Sequence, residues 1–277
     1  MVRNNYLFSF VALTLAAACF AKAPHSEPKP AGSHETLDLH RNCVTQVSSY
    51  NGLLAGLYDG SVSFEELRPY GNFGLGTFDK LDGELYMIDG VIYQIDYDGK
   101  VHEMPYSATT PYITMANFQP DQVIDIPEGL TYDEVSKFVE KQLPNINTPY
   151  AIQISGTFKY MKCRSIPKQN EKPYPSLADI TKVQSIFEQD DVKGSLVGFY
   201  YPQYASTLNP PGFHLHFLND AKDFGGHCLT FTTGDDVKAH LDLCNKLIVY
   251  IPDDEDGRAA NLNIDRSAQV QSVNRAK

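Results

Sequence analysis

The spacing of apolar positions predicts helices in the first part of the chain. Apolar residues recur every three or four positions over residues 43–58, which is typical of an amphipathic helix, and Asp59-Gly60 would end it. Ser63, followed three positions later by Glu66, predicts a capping box at the start of a short second helix.

From residue 73 the apolar pattern becomes that of strands. Residues 73–104 are rich in Tyr, Ile, Val and Leu and predict a strand meander, because Asp-Gly pairs between apolar runs are a strong hairpin signal. The pairs are Asp82-Gly83, Asp89-Gly90 and Asp98-Gly99. Residues 112–118 predict a further strand, and Thr131 with Glu134 predicts a capped helix.

A second strand-rich region follows, and it completes an α+β pattern. Gly156 separates two predicted strands, residues 151–155 and 157–166, and residues 176–188 favour a helix. Further strands are predicted over residues 195–201, 212–218, 227–232 and 246–251. The final residues are polar and weakly helical. Strands and helices do not alternate as βαβ units, so the pattern predicts the α+β class with few helices.

The first 36 residues are predicted to lie outside the fold. Residues 1–23 resemble an export signal, since one basic residue precedes an apolar run and Ala21-Lys22-Ala23 offers small residues for cleavage. A lipid anchor on Cys19 is a less favoured alternative. Residues 24–36, rich in Pro and Ser, predict a linker. We expect an exported protein whose N-terminal α+β domain covers residues 37–147 and whose C-terminal β-rich domain covers residues 148–277.

Composition and charge narrow the classes of function. Of the 277 residues, 23 are basic and 34 acidic, giving a net charge of −11. Arg3 and Lys22 are the charged residues of the leader, so its removal would give −13. Because nucleic-acid binding needs a basic surface, we expect no nucleic-acid partner. No apolar run reaches the roughly 20 residues of a membrane-spanning helix, so no transmembrane span is predicted.

Three histidines form the most informative pattern. His214 and His216 are two positions apart on a predicted strand, so both side chains lie on the same face. Gly225-Gly226 leads into His227 on the next strand, which would bring a third imidazole opposite them in a hairpin. Three converging imidazoles with open positions are typical of a catalytic Zn²⁺ or a similar ion. Cupins also carry His-x-His on a strand, and Asp220 would fit their following carboxylate.

Six stretches, in order, together resemble the acetolactate decarboxylase family. The resemblance runs from about residue 43 to residue 251 and lies in Gly60-(x)5-Glu66-Leu67, Gly71-Asn72-Phe73-Gly74-Leu75-Gly76-Thr77-Phe78, Leu81-Asp82-Gly83-Glu84-Leu85, Glu171-Lys172-Pro173-Tyr174-Pro175, Gly198-Phe199-(x)4-Tyr204-Ala205, and Gly212-Phe213-His214-Leu215-His216-Phe217 with Gly225-Gly226-His227. It implies an N-terminal mixed sheet followed by an antiparallel barrel-like domain, often as a homodimer.

The resemblance also implies an activity and a set of site residues. The reaction would be decarboxylation of 2-acetolactate to acetoin and CO2, through an enediolate stabilised by zinc or another divalent metal. His214, His216 and His227 would be the metal ligands. Glu84 and Arg164 would be active-site residues, and Thr77 would line the pocket. None of these last three would be singled out by its own local pattern.

The chain departs from the family near its C-terminus. Family members usually carry a second active-site Glu there, whereas this chain has Asn274 at the matching position and no Glu after Glu255. Asn forms hydrogen bonds but does not accept a proton at neutral pH. Asp265 or another group would have to take the place of the missing Glu. The alternatives to the decarboxylase are a metal-holding or small-ligand-binding protein on the same scaffold and a cupin-like dioxygenase, which would need iron and O2.

Overall fold

The computed structural model describes residues 40–274, which fold around two β-sheets. In chain order the strands are β1 (Cys43–Val47), β2 (Val62–Ser63), β3 (Phe73–Thr77), β4 (Glu84–Ile88), β5 (Val91–Ile95), β6 (Val101–Glu103), β7 (Thr109–Thr110), β8 (Ile113–Ala116), β9 (Gln122–Asp125), β10 (Tyr150–Ser165), β11 (Ser185–Tyr201), β12 (Gly212–Asn219), β13 (Gly225–Thr233), β14 (Lys238–Leu243) and β15 (Lys246–Tyr250). The helices are α1 (Tyr50–Leu54), α2 (Phe64–Leu67), α3 (Tyr132–Glu140), α4 (Leu177–Ile180), α5 (Glu255–Ala259) and α6 (Ser267–Asn274).

The first sheet is mixed, as expected. Its strand order is β15-β1-β8-β3-β4-β5-β6, and β15 runs parallel to β1 while the other pairs are antiparallel. The predicted meander is confirmed as β3 to β6. Thr77 and Glu84 lie opposite each other where β3 and β4 join. β2 and β7 form a separate two-stranded ribbon.

The second sheet is antiparallel and closes on itself. Its order is β11-β12-β13-β10-β14-β9, and β10 also pairs with β11. The pairings among β10, β11, β12 and β13 therefore close into a barrel-like arrangement. Its interior is filled by aromatic and aliphatic side chains such as Phe158, Phe217 and Phe231. The α+β class with a barrel-like second part is confirmed.

The predicted helix over residues 43–58 is wrong. Residues 43–47 form β1, and only Tyr50–Leu54 is helical. All five residues of β1 are buried, because side chains cover both faces of the sheet, so its apolar residues show no strand alternation. Ser48, with a φ of 61°, breaks the chain direction, and the Ser49 side chain caps α1 by accepting from the Gly52 N–H.

Two predictions in the second half are also corrected. The two predicted strands, residues 151–155 and 157–166, belong to one strand, β10, which continues through Gly156 and ends at Ser165. The helix predicted over residues 176–188 is confined to α4 and one following turn. The residues from Ser185 onward belong to β11, because pairing with β10 from Ser165↔Ser185 outweighs local helix propensity.

The predicted capping boxes at the other helices are confirmed. Ser63 and Glu66 close the first turn of α2, with the Ser63 N–H donating to the Glu66 carboxylate at 3.0 Å. Thr131 and Glu134 do the same for α3, where the Thr131 N–H donates to the Glu134 carboxylate at 2.9 Å. The weak helical signal near the C-terminus corresponds to α5 and α6.

Strands cross the boundary predicted between residues 147 and 148. β9 precedes it yet pairs with β14 of the second sheet, and β15 follows it yet pairs with β1 of the first. The described residues, 40–274, belong to one compact unit. Apolar side chains of both sheets share one core, including Phe73 and Phe199, whose ring centroids are 6.1 Å apart. The division into two domains stays a prediction about independent folding.

Other expectations concern the leader and the cysteines. The predicted signal, residues 1–23, and linker, residues 24–36, lie outside the described residues. Within residues 40–274, no helix is long and apolar enough to cross a membrane. Four buried cysteines in the described part of the chain form no disulfide: Cys43, Cys163, Cys228 and Cys244.

Candidate metal centre and active site

Adjacent strands of the barrel bring three imidazoles together. His216 of β12 lies directly opposite His227 of β13 in the ladder, and His214 lies two residues before His216 on the same face. The alternate residues of β12, among them Phe213, Leu215 and Phe217, pack into the barrel core instead. Strand alternation and hairpin register therefore form the cluster, as the sequence predicts.

The ring nitrogens converge on one point. His227 Nδ1 lies 3.3 Å from both His214 Nε2 and His216 Nε2. Carbonyl oxygens accept hydrogen bonds from the outer nitrogens of two rings: Leu85 from His216 Nδ1 at 2.7 Å, and Asn274 from His227 Nε2 at 2.8 Å. Because those nitrogens carry the protons, the inner nitrogens of His216 and His227 carry lone pairs.

This arrangement fits a bound divalent cation. Two unprotonated nitrogens that face each other at 3.3 Å share no hydrogen, so a cation between them would relieve their repulsion. The spacing also equals the edge of a tetrahedron built from metal–nitrogen bonds of about 2.0–2.1 Å. The three side chains form a buried group that can hold a metal ion.

The histidines are held in the neutral form that metals bind. Burial lowers the pKa of His216 to about 3, and the nearby positive charge of Arg164 lowers this pKa further. The hydrogen bond from His216 to the Leu85 carbonyl raises the pKa but does not outweigh burial. Burial likewise lowers the pKa of His214 and His227 well below the usual value for histidine. No proton therefore competes with a cation for these nitrogens near neutral pH.

A buried ion pair lies beside the cluster. Arg164 of β10 pairs with His227 across the ladder, and its Nη1 donates to Glu84 Oε1 at 3.0 Å. Glu84 Oε2 lies 3.5 Å from His216 Nε2. Burial raises the pKa of the Glu84 carboxyl to about 7, and the charge of Arg164 only partly offsets this effect. Glu84 can therefore either hold or release a proton near neutral pH.

The cluster lines a small cavity of about 30 Å³ between the two sheets. All the residues expected from the resemblance except Asn274 line it: Thr77, Glu84, Arg164, His214, His216 and His227. The Thr77 hydroxyl donates to the Gly83 carbonyl at 2.7 Å and so fixes the turn that presents Glu84. The remaining walls are largely apolar and include Leu53, Leu81, Ile166 and Leu177.

Tyr50 and Leu53 are cavity residues that the sequence reasoning missed. Tyr50 packs edge-on against His214, with ring centroids 6.4 Å apart. Both residues belong to α1, which was hidden inside the longer predicted helix. The consecutive serines Ser48 and Ser49 were the available signal, because serine favours helix N-caps and turns.

Asn274 reaches the cluster through its main chain. The residue is 7% exposed, its carbonyl accepts from His227, and its side-chain Oδ1 has no hydrogen-bond partner. The position was singled out for its side chain, but the contact that the structure provides would be available to any residue type there.

Comparisons with known proteins agree with this geometry. The alpha-acetolactate decarboxylase family model matches residues 44–264. The chain is similar to the alpha-acetolactate decarboxylase of Brevibacillus brevis, 35% identical over 98% of each chain. It is also 38% identical to that of Methanosarcina mazei, over 82% of this chain and 78% of the relative.

A solved structure extends the likeness to the fold. The crystal structure of alpha-acetolactate decarboxylase from Bacillus subtilis strain 168 superposes with a TM-score of 0.80, at 34% identity. The match covers 84% of this chain and 99% of that one. The family model spans most of the chain, and both the relatives and the shared fold agree with it. This chain therefore belongs to the alpha-acetolactate decarboxylase family.

Proposed function

We propose that the protein decarboxylates 2-acetolactate to acetoin and CO2, with a divalent metal, zinc in the first instance, held by His214, His216 and His227. The observation that carries the proposal is the set of neutral imidazole nitrogens that converge beside the Glu84–Arg164 pair in a cavity. Family membership supplies the substrate.

The chemistry defines what the site has to provide. Loss of CO2 from 2-acetolactate leaves an electron pair, which the neighbouring ketone accepts to give an enediolate. The bound metal would supply Lewis-acid stabilisation of that negative charge. The protein must then hold the departing carboxylate, exclude water and deliver one proton to carbon.

Arg164 is suited to bind the substrate carboxylate. Its side chain is 5% exposed, and Nη1 is occupied by Glu84. Its buried Nε has no partner in the described part of the chain, so it is available to an anionic ligand. A guanidinium binds carboxylates well because its N–H groups form a planar fork.

Glu84 is suited to deliver the proton. In the metal-free site burial raises the pKa of the Glu84 carboxyl to about 7, and a cation held by the adjacent imidazoles would lower it from there. The protonated carboxyl would donate to the enediolate carbon and then regain its proton from solvent, so protons balance over the cycle. The apolar wall of Leu53, Ile166 and Leu177 limits access of water to the enediolate.

The alternative is a metal-holding or small-ligand-binding protein on the same scaffold. It is favoured by Asn274, an amide at a position where the resemblance implies a carboxylate. A binding protein would need the imidazoles but not a second carboxylate. A cupin-like dioxygenase differs from both because it would consume O2.

Acetoin release from 2-acetolactate under anaerobic conditions separates these functions. Protein stripped with a chelator should be inactive, and added Zn²⁺ should restore activity with one metal per chain. His216→Ala should lose both the metal and the activity, whereas His240→Ala, a half-buried histidine on β14 outside the cluster, should keep both. Metal-loaded protein that releases no acetoin would overturn the decarboxylase proposal in favour of a binding protein.

We also propose that residues 1–23 direct export, on the strength of the leader pattern alone. The N-terminal sequence of protein recovered outside the cytoplasm should then begin close to Pro24. Retention of the leader on cytoplasmic protein would contradict this, and a lipid on Cys19 would establish the alternative. The homodimer stays a prediction of the family resemblance.

A further inference from the structure

We infer that α6 is a positioning element of the metal site, and that docking of this helix and metal binding reinforce each other. The inference rests on the metal site of the proposed function. It starts from the 2.8 Å hydrogen bond in which His227 Nε2 donates to the main-chain carbonyl of Asn274, the last residue of α6.

The end of a helix is well suited to this contact. The last four carbonyls of an α-helix have no partner within the helix, so the Asn274 oxygen is available to an outside donor. The C-terminal end also carries partial negative charge, which favours an N–H donor there. Both effects keep the proton of His227 on Nε2 and turn the lone pair of Nδ1 toward the other imidazoles.

His227 is the imidazole whose orientation depends on a segment outside the two sheets. His216 is held by the Leu85 carbonyl of β4, within the rigid first sheet. His214 Nδ1 has no partner among the described residues. Asn274 is 47 positions from His227 and is not part of any described strand, so this bond forms only when α6 is docked.

The helix is docked by contacts separate from the imidazoles. Val270 and Val273 are 3% and 1% exposed and pack in an apolar cluster that includes Tyr50 and Leu177. At the start of the helix, Arg266 Nη1 donates to Asn51 Oδ1 at 3.2 Å. Residues of α1 and α4 that line the cavity thus also seat α6, which places its end against His227.

Thermodynamic linkage makes the effect reciprocal. If the docked helix strengthens metal binding by some factor, the metal strengthens docking by the same factor. Outer partners of metal-bound histidines typically contribute 10–100-fold to metal affinity. Metal should therefore make opening of α6 rarer by a similar factor.

A matched pair of truncations isolates the carbonyl. Removing residues 275–277 leaves Asn274 as the last residue, so its oxygen atoms remain as acceptors. Removing residues 274–277 deletes the acceptor and little else. Zn²⁺ affinity, measured by competition with a chromophoric chelator, should fall 10–100-fold in the longer truncation and stay within about 3-fold of wild type in the shorter one. Asn274→Ala should also keep the affinity, because the contact is made by the main chain.

Two further measurements use the full chain and do not depend on activity. Zn²⁺ should slow hydrogen exchange at the Val270 and Val273 amides at least 10-fold, and NMR should find the proton of metal-free His227 on Nε2. Unchanged exchange, or unchanged affinity in a folded longer truncation, would overturn the inference. If that truncation does not fold, the exchange result on the full chain decides. Linkage seen in a protein that makes no acetoin would support this inference and count against the decarboxylase.

Discussion

Glu84 and Arg164 show how burial sets the properties of single residues. Each side chain is 5% exposed, and their closest atoms are 3.0 Å apart. In water such a pair would leave the carboxyl with a low pKa, but here burial raises the pKa to about 7. The cost of removing a carboxylate from water thus exceeds the attraction of one guanidinium.

Removing one partner of this ion pair should lower the free energy of unfolding more than removing both partners. Glu84→Gln leaves a buried guanidinium without a counter-charge and should lower the free energy of unfolding by about 3–5 kcal/mol. The double variant Glu84→Gln/Arg164→Met should lie closer to wild type. Urea unfolding of metal-free protein at pH 8, where Glu84 is ionised, measures both values.

An exposed pair provides the control for this comparison. Lys162 and Glu188 are 3.0 Å apart with side chains 30% and 49% exposed. Lys162→Met should therefore change the free energy of unfolding by less than about 1 kcal/mol. A double variant that is as unstable as Glu84→Gln would contradict the argument.

The metal-free protein should lose stability as the pH falls below 6.5. The three buried imidazoles have lowered pKa values, about 3 for His216, whereas in the unfolded chain they titrate near 6.5. The unfolded chain therefore binds protons that the folded chain does not, so this stability is present above pH 6.5 and lost below it. Glu84 acts in the opposite direction between about pH 4.5 and 7, because its folded pKa is raised.

Three histidines act against two carboxyls, because burial also raises the pKa of Asp242 to about 6. About one proton is then taken up on unfolding, so the free energy of unfolding should fall by on the order of 1–2 kcal/mol per pH unit between pH 6 and 5. Denaturant titrations with a chelator present measure this slope. A flat profile would show that the imidazoles are not buried in neutral form.

At the scale of elements, the long strand β10 depends on one glycine. Gly156 has a φ of +148°, and a Cβ there would lie 2.7 Å from the Asp236 carbonyl oxygen. It lies where β10 passes from pairing with β14 to pairing with β13. Glycine permits the bend and the close approach that closing the barrel requires.

Gly156→Ala should therefore destabilise the protein by more than conformational strain alone. Gly129, with a φ of +80° and no atom within 4 Å of an added Cβ, is the matched control. Gly129→Ala should lower the free energy of unfolding by about 1 kcal/mol. Gly156→Ala should lower it clearly more, because the backbone at Asp236 must also move to make room for the added Cβ. Thermal unfolding compares the two, and equal costs would contradict a tight corner at Gly156.

At the scale of the whole molecule, the two sheets form one unit and share one site. Thr77 and Glu84 come from the first sheet, whereas Arg164 and the histidines come from the second. The cavity lies between them, so its geometry depends on how the sheets pack. The crossing strands β9 and β15 link them further.

Neither half should fold without the other. A fragment of residues 38–147 lacks β15, and a fragment of residues 148–277 lacks β9, so each would expose a strand edge that is covered in the full chain. We expect both fragments to be unfolded by circular dichroism and the intact protein to unfold in one transition. A stable isolated fragment would support the two-domain division instead.

Features that depend on residues close together in the chain could be predicted from the amino-acid sequence. The capping boxes of α2 and α3 and the Asp-Gly turns of the meander involve only a few consecutive residues. His214 and His216 share a face because strand side chains alternate, and a short hairpin brings His227 opposite. A buried cluster of imidazoles that can hold a metal could therefore be predicted from local geometry.

Features that depend on distant segments follow from the packing of the folded chain and could not be predicted. The apolar spacing of residues 43–58 is equally compatible with a helix and with a strand covered on both faces, and the sheet selected the strand. Glu84 and Arg164 are 80 positions apart, and their pairing follows from the packing of two sheets. The carbonyl of Asn274 reaches His227 because α6 docks between α1 and α4. Such contacts follow from the energy of the whole packed chain, which no local pattern records.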